Sequence, residues 1–341
     1  MPRIAMFDAK AYDHDFFTQE NRDYAYDISF FEAKLNPETA VLAEGFDTAC
    51  VFVNDFVTRE VADVFAGYGV KLLALRSAGY NHIDLDALKG RLDAVRVPAY
   101  SPHAVAEHAL ALILTLNRKT HRAYSRTRDS NFSISGLLGF DMHGKCAGVV
   151  GTGQIGRTMC EILRGLKMNV LAYDPYPAAE WAQEHGVEYV KLTELYKRAD
   201  IITLHCPLTP ENVHMIDRST IAMMKHGVMI VNTGRGKLIR TEDLLEALRS
   251  GKVGAAGLDV YEEETDFFFE DHSSNIITDD NLLRLLAYPN VLVTSHQAFF
   301  TREALTNIAR ITLENVRLYF EEGRIENSIP DFDAGTGRVN G

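Results

Sequence analysis

Short apolar runs alternate with amphipathic stretches along almost the whole chain. In the first hundred residues the runs at 4–7, 51–53, 72–75 and 95–97 are mainly aliphatic, and Asp8, Asn54 and Pro98 close three of them. Runs of this length bounded by turn residues read as buried strands. Between them, 58–66 and 82–89 repeat their apolar positions three and four residues apart and read as helices. Strand and helix in alternation predict a small βα domain with a parallel sheet. Ser101-Pro102 then opens a new helix, with Ser101 as its N-cap and Pro102 in the first helical position. That helix carries Ala109, Leu112, Ile113 and Leu116 and is apolar around much of its circumference, which predicts burial between larger bodies.

A second alternating series begins near Ala147. Strands are predicted at 149–150, 170–173, 201–205, 228–232, 255–260 and 291–295. Thr241 reads as the N-cap of one of the intervening helices, since Glu242 and Asp243 follow in the turn where the helix dipole favours acids. Six strands with helical crossovers predict a doubly wound sheet. A last long helix is predicted at 301–320, placed to pack back on the first domain. The tail from Asp331, with Gly335, Gly337 and Gly341, is expected to be mobile.

One turn in the second series carries chemistry. Val149-Val150 leads into Gly151-Thr152-Gly153-Gln154-Ile155-Gly156, a helical pattern follows, and the next apolar strand ends on Asp174, eighteen residues after the last glycine. Strand, Gly-x-Gly-x-x-Gly turn, helix, strand and acid together form a dinucleotide fingerprint. Gly151 permits the tight turn, Gly153 lets a pyrophosphate approach the backbone, and Gly156 lets helix and strand pack closely. The helix N-terminus offers free N–H groups to the pyrophosphate. Asp174 suits both hydroxyls of an adenine ribose and repels a 2′-phosphate, so the cofactor expected is NAD.

Composition narrows the setting. The 341 residues suffice for two domains. A formal net charge of −12 argues against a nucleic-acid partner, which would need a basic face. The four cysteines (Cys50, Cys146, Cys160 and Cys206) show neither disulfide-framework nor metal-ligand spacing, so a reducing compartment and no metal are expected. The N-terminus lacks the apolar core of a signal peptide, and the longest apolar helical stretch, 109–116, is too short to cross a bilayer. The cytoplasm, with no membrane partner, is the expected location.

Ligands of doubly wound sheets bind at the carboxyl ends of the strands. Three charged residues fall just past such ends: Arg235 after 228–232, Glu264 after 255–260, and His296 after 291–295. A guanidinium can pair bidentately with a carboxylate and polarise a neighbouring carbonyl. An imidazole can exchange a proton with a developing alkoxide. A carboxylate beside the imidazole fixes its tautomer and favours its charged form. This is the equipment for reducing a 2-oxo acid. Residue chemistry alone leaves alternatives open. Glu264 lies in the acidic run Glu262-Glu263-Glu264, which also reads as a solvated face; His205 also ends a predicted strand; His108 reads as a core residue of an apolar helix.

The surroundings of the trio carry a resemblance. Arg76-Ser77-Ala78-Gly79-Tyr80-Asn81, Val97-Pro98-Ala99-Tyr100-Ser101-Pro102, His205-Cys206-Pro207-Leu208-Thr209, Val231-Asn232-Thr233-Gly234-Arg235-Gly236, Asp259-Val260-Tyr261-Glu262 and Ser295-His296-Gln297-Ala298-Phe299 together resemble the D-isomer-specific 2-hydroxyacid dehydrogenases, over all of the chain but its tail. The insert Asp266-Phe267-Phe268-Phe269-Glu270-Asp271 resembles the lactate-acting branch. The resemblance implies an α/β chain of two Rossmann- or flavodoxin-like doubly wound parallel-sheet domains with an interdomain cleft. The substrate domain would comprise 1–100 and 299–341, and the NAD domain 101–298. Arg235 would hold the substrate, His296 would be the acid/base, and Glu264 would orient it. Ser77, Ala78 and Gly79 would offer N–H groups to the substrate carboxylate, with Tyr100 and Phe299 shaping the pocket. Gln154 and Ile155 would sit over the pyrophosphate, Cys206 and Pro207 beside the adenosine, and Asn212, Thr233, Gly234 and Asp259 along the nicotinamide half. The activity implied is reversible NADH-dependent reduction of pyruvate to D-lactate by a homodimer or homotetramer. The alternatives are a bulkier 2-oxo acid such as phenylpyruvate or 2-oxoisocaproate, and a corepressor-like module that senses NAD(H), which the intact trio disfavours.

Overall fold

The computed structural model describes residues 1–264, 267–330, 332 and 339–340. The expected mobile tail and Asp266 of the insert therefore lie largely outside the described residues. The chain forms two compact units, Met1–Ser101 with Phe300–Gly341, and Pro102–Phe299. Each seam falls one residue later than the sequence places it, so Ser101 joins the first unit and Phe299 the second.

The first unit runs β1 (Arg3–Met6), α1 (Ala11–Glu20), β2 (Asp27–Phe30), β3 (Thr48–Val51), α2 (Arg59–Gly67), β4 (Leu72–Leu75), α3 (Leu85–Leu88) and β5 (Asp93–Arg96). Its sheet has the order β2-β1-β3-β4-β5 and every described pairing is parallel. β3 ends earlier than predicted because the Asp55 carboxylate takes the Phe52 N–H at 2.6 Å. α3 is shorter than the predicted 82–89 because Asp84 caps it, accepting from Ala87 N–H at 3.0 Å. α1 and β2 have no counterpart in the sequence prediction.

The second unit runs α4 (Pro102–Arg118), α5 (Thr120–Arg128), β6 (Cys146–Val150), α6 (Gln154–Gly165), β7 (Asn169–Tyr173), α7 (Ala179–His185), β8 (Val187–Tyr189), α8 (Leu192–Arg198), β9 (Ile201–Leu204), α9 (Arg218–Met223), β10 (Val228–Asn232), α10 (Thr241–Ser250), β11 (Val253–Leu258), α11 (Asp280–Ala287) and β12 (Val291–Val293). The sheet has seven strands, not the predicted six, in the order β12-β11-β10-β9-β6-β7-β8, again with parallel pairings. The strand order reverses between β6 and β9, so the glycine turn opens at the switch point, where such sheets bind ligands. Side chains alternate between two cores: Val149, Val170, Ile201 and Val231 on one face, Val150, Leu171, Ile202 and Ile230 on the other. α4 lies on the first face. A Cβ on Gly257 of β11 would come within 3.1 Å of Leu112, which is how closely helix and strand pack.

Thr241 is the first residue of α10 and Arg240 its N-cap, one position from the prediction. The missing acceptor comes from another loop, since Glu262 takes the Thr241 N–H at 3.1 Å. The chain then returns to the first unit as α12 (Arg302–Arg317), capped by the Thr301 hydroxyl and continued by a π turn, Leu318–Glu322. It is tied to the first sheet by Asn315 Nδ2 donating to Arg96 O at 3.0 Å and by the Tyr319 hydroxyl donating to Asp93 at 2.8 Å. Among the described residues no helix is long and apolar enough to cross a membrane.

Candidate active site

β10, β11 and β12 are neighbours, so the loops at their carboxyl ends bring Arg235, Glu264 and His296 onto one edge of one sheet. Glu264 Oε1 lies 3.0 Å from His296 Nδ1, and its Oε2 accepts the Tyr261 N–H at 2.8 Å. Glu264 is thus the member of the acidic run that meets the imidazole. Glu262 faces elsewhere. Its Oε1 lies 2.5 Å from His214 Nε2 while its other oxygen caps α10. Burial pushes the Glu262 carboxyl up, but the Thr241 N–H and His214 outweigh this and hold it below the usual range.

The Arg235 loop is set by two contacts. Asn232 Nδ2 donates to Arg235 O at 2.9 Å, and the guanidinium donates to Gly234 O at 2.8 Å. A Cβ on the next residue, Gly236, would stand 2.0 Å from Tyr261 O. Only glycine allows the Arg235 loop to lie against the loop that leads to Glu264.

His296 has φ +52, in the left-handed region uncommon for residues other than glycine. Its N–H donates to Asp259 O at 2.7 Å, while the N–H groups of Gln297 and Ala298 each donate at 2.9 Å to a different Asp259 carboxylate oxygen. Successive N–H groups around a left-handed residue form an anion-binding concavity, and Asp259 fills it. The Thr294 hydroxyl adds a bond at 2.5 Å, and His108 Nε2 stands 3.1 Å from Thr294 Oγ1 and 3.3 Å from Asp259 Oδ1. Burial raises the Asp259 carboxyl, but His108, Thr294 and the charge of His296 pull it below its ordinary value. His108 is therefore a satisfied residue of its helix whose polar contacts support the His296 loop. Phe269, quoted with the insert but given no site role from sequence, lies with its ring 5.9 Å from the His296 ring. The aromatic run 267–269 was its only signal.

The dinucleotide turn has the required shape. Gly151 has φ +90, and a Cβ there would strike Cys206 N at 2.7 Å. A Cβ on Gly156 would meet Gly151 O at 1.9 Å, whereas Gly153 faces open space. Gln154 and Ile155 open α6, where the first N–H groups have no helical acceptor. Thr233 Oγ1 is buried at the end of β10 with no hydrogen-bond partner. Open space at Gly153, free donors beside it and an orphaned hydroxyl at the switch-point edge fit a dinucleotide. Cys206 is half-buried, with its thiol pushed up to about 11 by burial, and Pro207 is exposed next to it.

Two residues expected along the nicotinamide half also make contacts within the protein. The Asn212 side chain closes its own turn, accepting from Thr209 N–H and donating to Pro207 O, each at 2.8 Å. Asp259 is fully buried and its carboxylate is committed to the loop above it.

The remaining expected substrate contacts lie in the first unit, apart from Phe299, which is buried in the second. Arg96 donates to Ala78 O and the Ser77 hydroxyl to Gly79 O, both at 2.8 Å, so the carbonyls of that turn are engaged by the protein. Tyr100 O accepts from Asn307 at 2.7 Å.

Sheet order, glycine turn and strand-end trio define a dinucleotide-dependent oxidoreductase, and comparison with known proteins identifies which. Residues 110–298 match the NAD binding domain of the D-isomer specific 2-hydroxyacid dehydrogenases, and the chain belongs to that family. It is 52% identical over 315 residues to a D-lactate dehydrogenase of Escherichia coli strain K12, covering 92% of this chain and 95% of that protein. The apo structure of D-lactate dehydrogenase from Escherichia coli superposes with a TM-score of 0.86 at 49% identity, over 94% of this chain and 97% of the other. D-lactate dehydrogenase with NAD+ from Lactobacillus jensenii gives 0.77 at 29% identity, over 92% and 95%.

Proposed function

We propose that the chain is an NAD-dependent D-lactate dehydrogenase in which Arg235, Glu264 and His296 do the chemistry. The observation that carries this reading is the Glu264–His296 pair at 3.0 Å on the strand-end edge that also bears Arg235. NADH, held by Gly153, Gln154, Ile155, Asp174 and Thr233, supplies the hydride when bound.

The protein supplies the proton and the orientation. Because Nδ1 of His296 is taken by Glu264, Nε2 is the atom left to give a proton to the carbonyl oxygen as C2 is reduced. The imidazole finishes neutral and recovers its proton from solvent. In oxidation the same nitrogen accepts the hydroxyl proton. Glu264 favours the charged ring and fixes its tautomer. Arg235 binds the carboxylate and draws charge onto the carbonyl oxygen. Asp259 and Asn212, assigned to the nicotinamide half of the dinucleotide, also shape the loops that line the site. Substrate binding is further assigned to the first unit.

We also infer that the working form is a homo-oligomer. Phe132, Ile134 and Leu138 are 76%, 83% and 88% exposed within one stretch after α5, large apolar side chains that a partner subunit would cover. Light scattering of wild type and Leu138→Asp tests this, and a monomeric wild type would refute it.

A panel of 2-oxo acids with NADH, run in reverse with D- and L-lactate, tests the activity. Turnover of pyruvate and D-lactate with none of L-lactate is the expected result. Preference for phenylpyruvate or 2-oxoisocaproate would move the substrate, and the absence of any turnover would end the enzymatic reading.

A further inference from the structure

The acid expected to bind the adenine ribose is already heavily engaged. Asp174 Oδ2 accepts the Thr152 N–H at 2.6 Å and the Thr152 hydroxyl at 2.9 Å, and Oδ1 accepts the Tyr176 N–H at 2.9 Å. An ionised carboxylate offers about four acceptor sites. Three are taken, so one remains for a ribose diol that brings two donors.

The Thr152 hydroxyl has a second neighbour. Its oxygen lies 2.7 Å from the Tyr189 hydroxyl. Tyr189 ends β8, the edge strand that pairs with β7, and is set opposite Ala172. Thr152 itself is 3% exposed, so its single proton chooses between two protein acceptors. Aimed at Asp174, that proton fills Oδ2. Aimed at Tyr189, it leaves one open site on each carboxylate oxygen, which matches the two donors of a vicinal diol.

We propose that Tyr189 is a positioning residue for dinucleotide binding: it accepts the hydrogen bond of the Thr152 hydroxyl and so frees the second acceptor site of Asp174 for the adenine ribose. The role rests on the NAD-binding assignment and extends it to Tyr189, outside the glycine fingerprint, acting through Thr152, the residue between the first two glycines of that turn. Tyr189 is half-buried and its own proton turns toward solvent when it accepts from Thr152. Phenylalanine at this position keeps the ring and loses the acceptor. The Thr152 hydroxyl is then left with Asp174 alone, and the ribose loses one charge-assisted hydrogen bond.

The test is NADH affinity, read by the fluorescence of the bound nicotinamide, for wild type, Tyr189→Phe, Thr152→Ala and the double variant. Tyr189→Phe is expected to weaken NADH roughly tenfold, the scale of one hydrogen bond to a charged group. Adding Thr152→Ala removes the competing hydroxyl, and the double variant is expected to bind NADH as Thr152→Ala does, close to wild type. A purely structural tyrosine would leave the double variant as weak as Tyr189→Phe, which overturns the proposal, as does a Tyr189→Phe variant that binds like wild type. Wild-type protein unable to bind NADH would overturn the cofactor assignment along with it. Matched melting temperatures across the set exclude unfolding as the source of any loss.

Discussion

Asp259 lies beneath His296 and holds the backbone on which the imidazole is presented. The His296 N–H is bonded to the Asp259 carbonyl at 2.7 Å, and the two N–H groups that follow are bonded to its carboxylate. A left-handed residue other than glycine costs of order 1–3 kcal/mol unless its surroundings dictate it. Here three consecutive N–H donors converge on one buried acid. Asp259→Asn would turn an amide donor toward the Gln297 or Ala298 N–H and is expected to cost about 3–5 kcal/mol, the range for removing one partner of a buried charged network. The sign with pH follows from the depressed Asp259 carboxyl. Its stabilising contribution is complete above the unfolded-state value of about 4 and is lost as pH falls through the lower folded-state value. Denaturant unfolding of wild type and variant between neutral and acid pH checks both, and equal stability at neutral pH would contradict the clamp.

Arg235→Gln removes the only part of the trio that can grip a carboxylate with two parallel donors. Loss of a preorganised donor of this kind is expected to cost roughly 2–4 kcal/mol in kcat/KM for pyruvate, through both binding and turnover. Arg235→Lys should recover only part of it, because the charge returns without the planar fork. Steady-state kinetics decides, and an unaltered kcat/KM in the Gln variant would remove Arg235 from the site.

Glu264→Gln keeps an oxygen near His296 and drops the charge. Without the carboxylate the imidazole loses the partner that fixes its Nδ1 side, and kcat for pyruvate reduction is expected to fall by roughly 10²-fold or more, the scale of a misdirected acid/base, while NADH affinity is unchanged. An unaltered kcat would show that a different group orients His296.

These predictions divide along what the sequence made legible. The glycine turn and Asp174 are local, because spacing within one βα unit fixes them. β4 was read to the residue because Leu72–Leu75 is apolar throughout and buried. The edge strand β8 was not read, since three residues, Val-Glu-Tyr, carry too little period. α1 was missed because Ala11–Glu20 mixes aromatic and acidic residues with almost no apolar stripe and buries only Asp13 and Phe17. Asp259 was assigned to the cofactor because its neighbours in sequence line the site. The protein partners its carboxylate has come from Thr294, Gln297 and Ala298 on the next strand's loop and from His108 on α4. No local pattern links such positions. The same holds for the pairing of Glu262 with His214, which leaves Glu264 for His296.

Gly236→Ala separates positioning from chemistry. The added methyl would stand 2.0 Å from Tyr261 O, so the Arg235 loop must move away from the Glu264 loop. A displacement near 1 Å at a reacting group costs roughly 10²-fold in rate. kcat/KM for pyruvate is expected to fall by about that factor while NADH affinity, which depends on the Gly151–Gly156 turn, is unchanged. Equal losses in both would mean that the substitution disrupts the whole sheet edge.

His205 predicts a second dependence on pH, separate from catalysis. It lies under the Gly151 turn, its Nε2 is 2.8 Å from Thr203 Oγ1, and its Nδ1 is buried without a partner. Burial with no acceptor for a second proton pushes the imidazole down to about 4. The unfolded chain protonates this ring near pH 6.5, so between about 6.5 and 4 the unfolded state binds more protons. Stability is therefore expected to fall as pH drops through that window, by an amount on the order of 3 kcal/mol. His205→Gln keeps a side chain able to reach Thr203 and does not titrate. Thermal unfolding of the two proteins at pH 7 and pH 4.5 should show a smaller loss in the variant. Parallel losses would assign the acid sensitivity to other groups and show that His205 holds a proton in the folded state.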